Sequence, residues 1–219
     1  MTMKRNYHTF HTGLARRAAF WSLIIMSTLG ISACTSTDKS PNLYLLHTVS
    51  HEPVMSANQK HAQNNAIAQT VIVLNDMQLP HYLKQPGLVY QTSDTGIHVS
   101  TEHFWGEPVE EGLTKLLRDA FNSQNMRMMS PPASAHKNDV QLSIRVDDFI
   151  ATWQGDIVLR GSYSLQHSNN PSEVSSITDK RFYIKQALQS DGFAASVESM
   201  RLAIQTLVTD ISRNVTDSN

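Results

Sequence analysis

The chain holds one cysteine, Cys34, and ten histidines. A lone thiol admits no intrachain disulfide, no CxxC redox pair and no multi-cysteine zinc site. Two histidine pairs have ligand-like separation, His47 with His51 and His98 with His103. The first pair straddles a strand end and a proline-containing loop, so its spacing of four does not bring the rings onto one helical face. No HExxH motif is present. Met126, Met128 and Met129 read as edge packing rather than as a soft-metal box. No Gly-rich loop follows a strand to cradle phosphate. Gly161-Ser162-Tyr163-Ser164-Leu165 lacks the second glycine of a nucleophile elbow and falls within a hairpin rather than at a strand-to-helix turn. Asp147 and Asp148 are neighbours on a strand, which points them to opposite faces unless the backbone bulges. We expect no catalytic residues, no metal and no cofactor.

Cys34 has a different chemistry, set by what precedes it. Residues 1–33 carry Lys4, Arg5, Arg16 and Arg17 and no acidic residue, and Ala18 to Ala33 are uncharged. Sixteen uncharged residues fall short of the roughly 20 that span a bilayer as a helix. A basic region, an apolar region and small residues before a cut are the parts of a secretory signal. Ile31-Ser32-Ala33-Cys34 resembles the bacterial lipobox, in which the cysteine sulfur is diacylated through a thioether and becomes the first mature residue. A plain signal peptide with a chance cysteine, or an uncleaved anchor, is the alternative. More than one acyl chain gives durable membrane attachment. Thr35 stands where aspartate would favour inner-membrane retention in enterobacterial lipoproteins, so outer-membrane anchoring with a periplasmic domain is expected.

The elements that follow must be carried by the remaining 186 residues, which hold 14 of the 18 basic side chains and all 19 acidic ones. That balance supplies no basic field for nucleic acid. Residues 34–42 read as the lipidated cysteine and tether, 43–213 as one domain and 214–219 as a tail. Leu43-Tyr44-Leu45-Leu46 and Val71-Ile72-Val73-Leu74 predict strands, the second central because it is apolar on both faces. Residues 47–69 read as a loop. Val109, Leu113, Leu116, Leu117, Ala120 and Phe121 predict a helix opening at Glu107-Pro108, with a break at Pro131-Pro132. Val140, Leu142, Ile144 and Val146 alternate, then the phase slips to Phe149, Ala151 and Trp153, which predicts a bulge near Asp147-Asp148. Gln154-Gly155-Asp156 predicts a hairpin turn, with strands through Ile157–Leu165 and around Phe182–Ile184. A last helix is predicted over 190–212, capped by Ser190 or Asp191. The order implies an α+β fold: a single domain with a mainly antiparallel sheet and two helices packed on one face.

Between the second strand and the first helix, residues 79–108 read as irregular, with only Ile97 and Val99 marking a short strand. Their apolar content, including Tyr82, Leu83, Leu88, Phe104 and Trp105, must be buried within the domain or against a partner or lipid. Leu79-Pro80-His81-Tyr82-Leu83-Lys84-Gln85-Pro86-Gly87-Leu88-Val89 resembles the LPxYLxRPxIV signature of the ABC-type transport auxiliary lipoproteins. Trp105-Gly106-Glu107-Pro108-Val109 resembles the same family's WAEPL, and Leu43-Tyr44-Leu45-Leu46 its opening YYxL strand. The likeness runs through the mature chain in order and length. Gln85 replaces the usual arginine, Gly87 a polar residue and Gly106 an alanine.

The resemblance implies an outer-membrane lipoprotein that docks an inner-membrane system whose mammalian-cell-entry (MCE) domains conduct phospholipid across the periplasm. It brings no catalytic residues. The partner-binding residues it points to are Leu79, Pro80, Tyr82, Leu83, Leu88 and Trp105, with Cys34 as the lipidation site. Docking on a ring-shaped channel leaves a symmetric homo-oligomer open. Two other readings remain at this level: an assembly or pilot lipoprotein for another envelope machine, and a periplasmic hydrolase or metal-binding enzyme.

Overall fold

The computed structural model describes residues 40–47, 70–130, 139–167 and 177–217. Cys34 and all but the first residue of the loop read at 47–69 lie outside the described residues. Eight strands appear among them: β1 (Asn42–Tyr44), β2 (Val71–Gln78), β3 (Gly87–Gln91), β4 (Ile97–Trp105), β5 (Arg127–Met129), β6 (Val140–Ala151), β7 (Asp156–His167) and β8 (Ile177–Ala187). Two helices accompany them, α1 (Val109–Ser123) and α2 (Phe193–Asp217), with a 3-10 turn at His81–Lys84. The fold is α+β, with all strands in one open sheet.

β6 organises that sheet. β7 pairs with it antiparallel along one edge, and β8 pairs antiparallel with β7. The other edge of β6 is shared in succession: β2 runs parallel from Ile72 opposite Val140 to Gln78 opposite Arg145, and β3 rejoins with Tyr90 opposite Ala151. β5 lies outside β2, and β4 then β1 lie outside β3. Residues 79–86 therefore leave the sheet at a gap along β6.

The predicted bulge is present, with the β6–β7 register shifting between Val146 and Asp148. The inserted residue restores the inward face, so that Val146 and Phe149 are both buried. Trp153 departs from the expected phase. β6 ends at Ala151, and the indole beyond it is 53% exposed. The hairpin turns at Gly155, whose φ of 85° suits a residue without a side chain.

α1 buries Val109, Leu113, Leu116, Leu117, Ala120 and Phe121 as its spacing requires, and Glu110 and Glu111 face the positive end of its dipole. It ends earlier than the proline pair. Asn125 takes φ 58°, its N–H donates to the Asn122 carbonyl, and the Met126 N–H donates to Phe121, which together make a Schellman stop. α2 begins after neither Ser190 nor Asp191: the Gly192 carbonyl accepts from the Ser196 N–H, so Gly192 occupies the cap at φ 105°. It also runs past Ser212 to Asp217 with Val215 buried, so residues 214–217 belong to the helix rather than to a tail.

Both helices touch each other, and α2 packs on β6, β7 and β8. One core forms between helices and sheet, including Phe121, Leu142, Leu159, Leu165, Leu207 and Ile211. Residues 79–108 differ most from expectation. Nearly half of them are strand, with β3 unanticipated and β4 nine residues long. β5, likewise unanticipated, buries Met128 and lies at the end of the sheet.

Candidate functional site

The gap between β2 and β3 explains the local form of the motif. Pro80 opens the 3-10 turn, and its carbonyl accepts from the Leu83 N–H at 3.1 Å. The turn drives Leu83 into the core and leaves Tyr82 half-buried. The Tyr82 hydroxyl then accepts the Phe149 N–H at 2.8 Å. That amide belongs to the bulged stretch of β6 facing the gap, where neither β2 nor β3 supplies a carbonyl. Tyr82 thus satisfies a backbone donor that would otherwise be stranded.

Burial pushes the Tyr82 phenol from 10.0 up to about 12, opposed in part by the hydrogen bond from Phe149. The Tyr163 phenol, bonded to Asp210 and Asn214 of α2, is also raised, first by burial and then by the Asp210 carboxylate. Native protein keeps the Tyr82 proton between pH 10 and about 12, where the unfolded chain has lost it. This contribution to stability is complete below pH 10 and declines as pH rises toward 12. Tyr82→Phe should flatten that alkaline decline in a urea-midpoint series. At neutral pH the same variant should lose about 1–3 kcal/mol, because the Phe149 N–H is left unpaired.

Leu79, Leu83 and Trp105 meet around a groove of about 480 Å³, completed by Pro86, Pro108 and Val109. Its floor is apolar, and Lys84, Glu107 and Glu110 stand at its border. The Trp105 N–H donates to the Pro86 carbonyl at 2.8 Å, and the Gly106 N–H to the Tyr44 carbonyl at 2.8 Å, which fixes β4 between the turn and β1. At the start of α1, Glu107 pairs with Lys115 and lies 2.8 Å from His47 Nδ1. Lys115 foremost, then His47, hold the Glu107 carboxyl below its ordinary range. Trp105 also borders a second apolar cavity of about 360 Å³, with Leu88, Tyr90, Trp153, Phe193 and Met200.

The structure therefore gathers Leu79, Leu83 and Trp105 at one groove. It assigns Pro80 to the turn, Tyr82 to β6, and Leu88 to the neighbouring cavity. Pro86, Pro108 and Val109 were missed as groove residues, although all three lie within the two motifs. Gly87 departs from the family pattern for a steric reason: a Cβ there would sit 2.4 Å from the Ser100 carbonyl oxygen. The close approach arises because β4 bulges opposite Gly87, where the Ser100 hydroxyl accepts the N–H groups of Glu102 and His103.

The other chemistry-bearing side chains are used in packing and pairing. His103 stacks on Phe193 with centroids 3.9 Å apart and bonds the Tyr44 hydroxyl through Nδ1 at 2.9 Å. His98 lies beside Tyr90. Asp147 pairs with Arg145, and Asp148 with Arg160. Among the described residues no three of His, Cys, Asp and Glu converge as a metal set.

Comparison with known proteins agrees with this architecture. The chain is 21% identical over 178 residues to the intermembrane transport lipoprotein PqiC of Escherichia coli (strain K12), covering 80% of this chain and 87% of that protein. It has the same likeness to the PqiC of Shigella flexneri. A solved structure of an uncharacterized protein superposes with a TM-score of 0.62 at 19% identity, covering 80% of this chain and 99% of that one. Protein XCC0632 from Xanthomonas campestris has a TM-score of 0.50 at 15% identity, covering 67% and 82%. These two show a shared fold. Residues 54–212 match the family model described as the ABC-type transport auxiliary lipoprotein component, and the chain belongs to that family.

Proposed function

We propose that this protein is a non-enzymatic auxiliary subunit of an MCE-type intermembrane phospholipid transport system, held in the outer membrane by acylated Cys34 with its domain in the periplasm. The observation that carries this reading is the groove formed by Leu79, Leu83, Pro86, Trp105, Pro108 and Val109, because both family motifs converge on it. A concave apolar floor with a charged border is suited to a protein segment that buries an aliphatic or aromatic anchor. Membership of a transport auxiliary family and the name of the PqiC relatives support the same assignment. Among the described residues no helix is long and apolar enough to cross a membrane.

The half-buried Trp105 is the expected anchor of the groove. Trp105→Ala should weaken binding of the MCE-domain partner about 30-fold, the equivalent of about 2 kcal/mol for a central tryptophan. Pull-down of the partner at graded concentration reads this, with circular dichroism confirming that the helices persist. Glu110→Arg at the exposed border tests the same surface without touching the core. Native spectra with unchanged partner binding in both variants would remove the groove from the interface.

A further inference from the structure

We propose that the helix-free face of β1 and β4, carrying Leu43, Ile97, Val99 and Phe104, lies against the bilayer that holds Cys34. This rests on the anchoring role given to that cysteine above.

The sheet register places these side chains together. Leu43 and Gly87 both stand opposite Phe104, Val89 opposite Val99, and Gln91 opposite Ile97, and residues opposite one another share a face. The intervening residues Tyr44, Tyr90, His98 and His103 take the other face, where Tyr44, Tyr90 and His103 contact Phe193 of α2. Leu43, Ile97 and Val99 are therefore directed away from the helices, at 66%, 53% and 40% exposure. With Leu45, they make four of the seven large apolar side chains exposed among the described residues.

The position of the anchor argues for lipid as the occupant. Asn42, already paired with His103 in the sheet, follows Cys34 by only eight residues. A fully extended chain of that length spans at most about 29 Å. β1 is thus the strand tied most closely to the acyl chains, and the apolar strip begins on it. The charge pattern specifies the kind of contact. Residues 40–47 and 85–114 contain no Lys or Arg, so the described strands that carry the strip bring no basic side chain of their own to attract anionic headgroups. Adhesion through it should come from apolar burial and be insensitive to salt.

The test uses the full acylated protein in phosphatidylethanolamine–phosphatidylglycerol vesicles. With the Cys34 sulfur in thioether linkage, Ile97→Cys or Val99→Cys supplies the sole free thiol for a fluorescent NBD label. Tyr183→Cys on β8, at the opposite end of the sheet, is the control. Nitroxide lipids should quench labels at 97 and 99 at least threefold more than at 183, equally at low and high salt. Quenching no greater than at 183, in protein that floats with the vesicles, overturns this proposal alone. Protein that does not float overturns the anchor as well. Label-to-label contact between copies at 97, in place of lipid quenching, would assign the face to a second copy and overturn it too.

Discussion

Gly161→Ala is expected to cost about 3 kcal/mol or more, or to prevent folding altogether, read as a fall in the urea midpoint. A Cβ at this position would lie 2.0 Å from the Arg145 carbonyl oxygen and 2.8 Å from Phe182 Cζ. Gly161 stands opposite Val146 on one side and Phe182 on the other, in the strand between β6 and β8. The Phe182 ring can swing aside, but the oxygen belongs to the backbone next to the bulge. It can move only by disturbing one of the two longest ladders of the sheet. Overpacking a core costs about 1–3 kcal/mol where side chains yield, and more where they do not. Total stability of such a domain is about 5–15 kcal/mol, so this single methyl consumes a large part. Gly106→Ala is the internal control. There the added atom would meet the flexible Leu45 Cδ2 at 3.1 Å, and the family pattern itself has alanine, so the midpoint should barely move.

Cys34→Ser should abolish acylation and empty the outer-membrane fraction of this protein. Thioether formation needs sulfur, and serine supplies only a hydroxyl. The variant should persist as a precursor that still carries residues 1–33, with no mature species and no incorporation of labelled palmitate. Among the described residues no helix is long and apolar enough to span a bilayer. The apolar strip on β1 and β4 contributes far less than two acyl chains at about 0.8 kcal/mol per buried CH₂. A Cys34→Ser protein that still fractionates with the outer membrane would remove Cys34 as the anchor.

Where hydrophobic spacing was uninterrupted, the fold was legible. The six apolar positions of α1, the long stripe of α2 and the alternation along β6 and β7 each report a buried face directly. Even the β6 bulge was readable, because one inserted residue shifts every later side chain to the wrong face unless the backbone compensates. β3 and most of β4 were not legible. Their alternation is broken by Pro86-Gly87 on one side and by the bulge at Ser100–His103 on the other, so no run is long enough to show a period of two. The arrest of α1 at Asn125 depended on a left-handed conformation that asparagine adopts without announcing it in the pattern. Trp153 was placed inside by extending the β6 phase past its last paired residue.

The site was legible in its motifs rather than in its geometry. The two signatures pointed to Leu79, Leu83 and Trp105, and the fold joins them across 26 residues of sequence at a single groove. Pro86, Pro108 and Val109 complete it because β3 and β4 form the hairpin that the sequence concealed. The Glu107 pairing with His47 was invisible for a related reason: it links the start of α1 to the segment after β1, sixty residues apart. Long-range pairs of this kind leave no periodic trace.

The central claim is that this domain serves an MCE-type transporter, and crosslinking the tagged, acylated protein in cells before mass spectrometry tests it most directly. The account predicts an MCE-domain protein among the crosslinked partners, joined through residues bordering the Leu79–Trp105 groove. Recovery instead of a secretin, a pilus subunit or a lipopolysaccharide-assembly component, with no MCE-domain protein, would contradict it.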